Sequence, residues 1–254
     1  MYFDSHAHYD DKRFDDDRDE LINDMYNNGV NYILNSGQSM QAIKAGLELA
    51  DKYDFIYTAV GVHPHNVKTL TDEDLSVIKL YAKKNKVQAI GEIGLDFHYD
   101  FSPRDLQRKW FKAQLEIAKD LDMPVIIHSR EASQECFDII KESGIHKGDI
   151  HCYSGNVEMA LEYVKMGFHI GVGGVVTYNN AKKLVDVVDA LPIESILIET
   201  DCPYLSPVPM RGKRNDSNNL KYIVDKIAEI KGLSHEDVAK ITTTNAKKVF
   251  NIDF

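Results

Sequence analysis

Short apolar segments rich in β-branched and aromatic residues recur about every 25 to 35 positions along this chain, and amphipathic or charged stretches of helical length fill the intervals. Such alternation implies a crossover helix after each strand, which lays successive strands parallel in one sheet. The strand candidates are residues 2–8, 31–36, 56–63, 87–95, 124–128, 149–153, 168–172 and 195–200. Eight β-α units in 254 residues match an α/β chain closed into a TIM-type (β/α)8 barrel. Leu233, Val238, Ile241 and Val249 predict extra C-terminal helices packed on its outside. The competing architecture is an open doubly wound sheet, but no G-x-G-x-x-G follows the first strand to support its dinucleotide-binding form. Gly171-Val172-Gly173-Gly174 lacks the Lys-Ser/Thr of a phosphate loop and reads as a tight turn after a strand. No low-complexity linker divides the chain, so residues 1–254 are expected to form a single barrel domain.

Hydrophobic residues make up 43% of the chain, enough for one sizeable core. No apolar run reaches the roughly 18 to 20 residues that a membrane span needs. Met1 leads straight into Tyr2-Phe3-Asp4 with no basic and then apolar leader, so a cytoplasmic location is expected, with no membrane partner. Cys136, Cys152 and Cys202 are an odd set without C-x-x-C spacing, which predicts reduced thiols rather than disulfides or a structural zinc site. The net charge of −10 is the reverse of the basic footprint that grips a nucleic-acid backbone. Phosphate chemistry therefore has to rest on local cations.

A barrel draws its active site from the C-terminal ends of several strands. The polar residues fall there. Strand one ends in His6-Ala7-His8, whose imidazoles share one face by alternation and can converge on one ion. Strand three ends at His63, with His65 two positions on; strand four carries Glu92; strand five ends at His128; strand six holds His151; strand eight ends in Glu199-Thr200-Asp201. His146, His169 and His235 fall in a loop, at a strand start and in a helix, and receive no site role; His65 and His98 can be bystanders. Cys152 and Cys202 each adjoin a candidate ligand, so alternation points them toward the helix layer as packing residues. Ser5 and Ser129 have no evident partners for a serine triad.

His6, His8, His128 and His151 with Glu92 and Asp201 can hold two divalent metal ions, one carboxylate bridging, with room left for water and substrate. Zn²⁺, Mn²⁺, Fe²⁺ or Co²⁺ suit such mixed ligands, and Mg²⁺ suits a set with fewer nitrogens. Asp201 is placed to accept the proton of the attacking water. Two divalent ions less Glu92, Asp201 and a hydroxide leave the site at about +1, which favours an anionic phosphate over a neutral ester. Arg130, two residues after His128, adds a planar donor fork suited to phosphate.

His6-Ala7-His8, Gly61-Val62-His63-Pro64-His65, Gly91-Glu92-Ile93-Gly94-Leu95-Asp96, His128-Ser129-Arg130, His151-Cys152-Tyr153-Ser154-Gly155, Glu199-Thr200-Asp201-Cys202-Pro203-Tyr204 and Arg211-Gly212-Lys213-Arg214-Asn215 together resemble, in order, the signatures of the TatD family of metal-dependent deoxyribonucleases within the amidohydrolase superfamily. The resemblance implies a (β/α)8 barrel, a two-metal site and hydrolysis of DNA phosphodiesters, commonly as a 3′ to 5′ exonuclease. It also implies that His6, His8 and Asp201 hold one metal and His128 and His151 the other, that Glu92 bridges, and that His63 and Arg130 face the scissile phosphate. Asn215-Asp216-Ser217 departs from the Asn-Glu-Pro of many relatives, which bears on the substrate contacts of that loop. Glu92 stands where many other amidohydrolases carry a carbamylated lysine, which favours TatD over dihydroorotase-like or phosphotriesterase-like relatives.

The expected substrate is DNA, as a single strand or a 3′ end able to reach a recessed metal pair; no obligate protein partner is inferred. Other ester hydrolysis by the same site, as by a small phosphoesterase or a D-aminoacyl-tRNA deacylase, is the alternative. A metal-binding barrel without catalysis is a third reading, and the intact ligand set argues against it.

Overall fold

Runs such as Val125-Ile126-Ile127 and Ile196-Leu197-Ile198 are buried throughout, as parallel strands covered on both faces must be. The computed structural model describes residues 1–252. Its strands are β1 (Tyr2–Ala7), β2 (Val30–Ser36), β3 (Ile56–Val60), β4 (Val87–Asp96), β5 (Val125–Arg130), β6 (Gly148–Ile150), β7 (Phe168–Val172) and β8 (Ile196–Ile198). They form one sheet in chain order, every neighbouring pair parallel. Helices α1 (Arg18–Asn27), α2 (Met40–Lys52), α3 (Asp72–Tyr81), α4 (Arg104–Asp120), α5 (Ser133–Ser143), α6 (Val157–Lys165) and α7 (Lys182–Ala190) follow the first seven strands; α8 (Leu220–Lys231) and α9 (His235–Val249) come after β8. The (β/α)8 barrel expected from the alternation is the fold that forms.

Local chemistry sets the helix ends. Ser39, Asn156 and Ser234 cap α2, α6 and α9 by accepting a backbone N–H through their side chains, and Thr71 with Asp74 closes a capping box on α3. Among the described residues, no helix is long and apolar enough to cross a membrane.

The seam between β8 and β1 is closed by side chains as much as by the ladder. Ala7 bridges to Cys202, the Asp201 N–H donates to the His6 carbonyl at 3.0 Å, and the His8 N–H donates to the Cys202 carbonyl at 2.9 Å. Buried Asp4 accepts from the Thr200 N–H (2.9 Å), the Thr200 hydroxyl (2.6 Å) and the Ser217 hydroxyl (2.6 Å). Ser217, one of the residues at which the post-β8 loop departs from many relatives, therefore ties that loop to the barrel wall.

The expectation of C-terminal helices lying outside the barrel needs a correction for α9. Ala246, Val249, Phe250 and Ile252 cluster with Phe3, Leu34, Ala59, Ala89, Ile126 and Leu197, which come from six strands and can meet only inside the barrel. The end of α9 thus plugs the floor, with the Phe250 and Phe3 rings 6.1 Å apart. Hydrophobic periodicity reports that a helix has a buried face but not which surface covers it. Because Phe250 is fully buried, Phe250→Ala should destabilise the protein by about 3 to 5 kcal/mol in urea unfolding. A loss below about 1 kcal/mol would show that the floor does not depend on this ring.

Candidate metal centre

The C-terminal ends of the strands deliver their polar side chains to one point. His6 and His8 stand at the end of β1, Glu92 lies within β4 and His128 within β5, while His63, His151, Glu199 and Asp201 lie just past β3, β6 and β8. Two glycines make room. At Gly94 (φ +147°) an added Cβ would fall 1.9 Å from the His128 carbonyl oxygen, and at Gly171 it would fall 2.4 Å from Glu199 Oε2.

Glu92 is the hub. Its Oε2 lies 3.4 Å from His6 Nε2 and 3.8 Å from His8 Nε2. Its Oε1 lies 2.9 Å from His128 Nδ1, 3.5 Å from His63 Nε2 and 3.6 Å from His151 Nε2. Asp201 Oδ1 stands 3.3 Å from His8 Nε2 and 3.9 Å from His6 Nε2, and the His6 and His151 rings stack with centroids 3.5 Å apart. One carboxylate thus presents each oxygen to a different group of imidazoles.

The partners behind the rings set their tautomers. His8 Nδ1–H donates to the Ser36 carbonyl at 3.1 Å, His151 Nδ1–H to Glu199 at 3.2 Å, and His128 Nε2–H to Asp96 at 3.0 Å. Each turns its other nitrogen toward the centre, the arrangement that prepares an imidazole to ligate once that nitrogen has given up its proton. His63 is the opposite case: its Nδ1 accepts the His65 backbone N–H at 3.1 Å, so the neutral ring carries its proton on Nε2, toward the centre. Proximity alone would admit His63 as a ligand beside Glu92 and His128; its tautomer suits it to donate a hydrogen bond instead.

Charge makes the same demand for cations. Glu92, Asp96, Asp149 and Glu199 are almost wholly buried and Asp201 is partly so, yet the ion partners of Glu92, Asp96, Glu199 and Asp201 are histidines, with no lysine or arginine among the described residues. Burial raises the Glu92 carboxyl, but the surrounding imidazoles outweigh it and hold the group well below its usual range. His8 shows the reciprocal effect: burial lowers it, while Asp201 and Glu92 push it up to about 9. Neither carboxyl oxygen of Asp149 has a hydrogen-bond partner, and burial with the Glu199 charge raises it well above the usual value. Nitrogen and oxygen donors converging in an anionic, closed site fit divalent cations.

All six expected ligands and His63 meet here. Arg130 stands at the exposed rim, its guanidinium 4.7 Å over the Tyr99 ring. Cys202 is buried in the wall, as alternation predicts, but Cys152 is not turned away: its sulfur lies within 4.8 Å of donor atoms of His151 and Asp201. The reason is that β6 ends at Ile150 and Cys152 takes a left-handed φ of +45°, so strand parity no longer applies. His65, treated as a possible bystander, bonds Asp96 at 2.8 Å, whereas His98 pairs with exposed Glu131. Asp96 and Glu199 were given no role by the sequence reading. Asp96, four positions after Glu92 on one strand, and Glu199, two before Asp201, each share the parity of a candidate ligand and were open to that signal.

A model of the family described as TatD related DNase matches residues 3–251. The uncharacterized metal-dependent hydrolase YabD of Bacillus subtilis (strain 168) is 44% identical over 255 aligned positions, spanning 100% of both chains. The 3′-5′ ssDNA/RNA exonuclease TatD of Rahnella sp. (strain Y9602) is 34% identical over 246, with 94% of each chain covered. Among solved structures, the TatD homologue YjjV of Escherichia coli K12 superimposes with a TM-score of 0.94 at 30% identity, covering 99% of this chain and 98% of that one. The chain therefore belongs to the TatD-related DNase family and is a metal-dependent hydrolase of TIM-barrel fold.

Proposed function

We propose that the protein hydrolyses phosphodiester bonds of single-stranded DNA from the 3′ end at a centre of two divalent cations. The observation that carries this reading is the division of Glu92, with Oε2 facing His6 and His8 and Oε1 facing His128 and His151. Asp201 completes the first group. When bound, divalent cations at these residues supply electrophilic assistance to the phosphoryl group. The remaining work falls to side chains. Burial raises the Asp201 carboxyl, but the His8 hydrogen bond and nearby imidazoles bring it below the usual value, so it is ionised near neutrality. It is also the more accessible carboxylate, its side chain 17% exposed against 3% for Glu92. It takes the proton of the attacking water. His63 donates from Nε2 to a phosphoryl oxygen, and Arg130, exposed at the rim, binds the second. The name of the Rahnella relative, a 3′-5′ exonuclease of single-stranded DNA and RNA, supports the direction and the strand preference. Release of 3′ nucleotides from a single strand should outpace cutting of a closed circular plasmid; the reverse order in a gel assay would overturn the proposal.

Glu92→Gln keeps the shape but removes the charge shared by both groups. Elemental analysis should show metal falling from about two ions per chain to below one, and retention of both ions with full turnover would refute the bridge.

Asp201→Asn should lower kcat by about 10² to 10⁴-fold, the usual contribution of a general base, or more if its metal is also lost. Arg130→Ala should cost roughly 1.5 to 3 kcal/mol on a phosphodiester and much less on a neutral ester. Equal losses on the two substrates would make Arg130 structural and favour an ester such as that of an aminoacyl-tRNA.

A further inference from the structure

The loop from β4 to α4 carries two aromatic rings that the fold leaves in water. Tyr99 is 47% exposed and Phe101 58%, and the two stack on each other at 5.1 Å with planes 10° apart. Large apolar groups are ordinarily covered, and here the loop is held firmly enough to keep these open. Asp96 accepts the backbone N–H groups of His98 (3.1 Å) and Tyr99 (2.9 Å), Arg104 pairs with Asp100 and donates to the Phe97 carbonyl at 3.0 Å, and the Ser102 hydroxyl donates to the His65 carbonyl at 2.9 Å. The rings adjoin the centre through few intermediaries. His65 makes T-shaped contacts with Phe101 (4.8 Å) and Tyr99 (5.5 Å) and bonds Asp96, which bonds His128 beside Glu92.

We propose that Tyr99 and Phe101 form a stacking ledge for an unpaired nucleobase of the strand being cut, next to the nucleotide whose phosphate enters the centre. The inference rests on the phosphodiesterase reading above and adds to it the means of base recognition. A π-face accepts any base and is closed to a base that remains paired and stacked in a duplex. Arg130, seated on the Tyr99 ring, places the phosphate-binding cation against the ledge, so one rim element meets both parts of a nucleotide. Because the loop is already braced, little ordering is needed on binding.

Binding of a fluorescent single strand with phosphorothioate linkages, compared with the same strand made abasic at its last 3′ positions, tests this on the metal-loaded enzyme. The wild type should prefer the base-bearing strand by roughly 5- to 150-fold per stacked base. Tyr99→Ala/Phe101→Ala should bind both strands alike, at the affinity of the wild type for the abasic strand. Phe101→Leu, which still shields His65 but lacks a π-face, should lose part of the preference, and Phe101→Trp should keep it. Equal binding of the two strands by the wild type, or full preference in the Leu variant, overturns the ledge. If the wild type digests single strands while these variants match it, the ledge alone fails; if the wild type neither binds nor digests them, the phosphodiesterase reading fails and the ledge with it.

Discussion

A carboxylate placed inside the barrel, out of water, has to be answered by positive charge, and the fold is arranged around that requirement. Burying an ion without a partner is strongly unfavourable. Glu92 meets five imidazoles that arrive with β1, β3, β5 and β6. In a flat sheet, β1 and β6 would lie roughly 24 Å apart, at about 4.8 Å per strand. Here the rings of His6 and His151 touch. Only closure brings them together, so the seam at Asp4 and the site at Glu92 are two aspects of one constraint.

The acidity of the chain and the anionic substrate proposed for it are compatible because they act over different distances. Surface charges are screened over about 8 to 10 Å at ordinary salt. The carboxylates around Glu92 lie buried, where they attract cations, while Arg130 stands exposed at the rim.

Much of this was legible in the sequence. The strand count, the order of the strands and the meeting of His6, His8, Glu92, His128, His151 and Asp201 follow from parity and from the rule that barrel sites gather at one end. What escaped lies where parity stops. β6 ends before Cys152, and beyond that point backbone dihedrals rather than alternation aim the side chains, so Cys152 turns inward. The tautomer of His63, which separates a hydrogen-bond donor from a ligand, depends on a backbone N–H at His65 and has no counterpart in composition or spacing. The position of α9 depends on a cavity that exists only once six strands have closed.

That plug bears on how the chain is made. Phe3 leaves the ribosome long before Phe250, yet they share one cluster. Synthesis runs from the N-terminus, and contacts between distant positions are slow to form. Until the final turn of α9 emerges, the nascent barrel has an open lower end, so the earlier β-α units have to wait, partly assembled, for it.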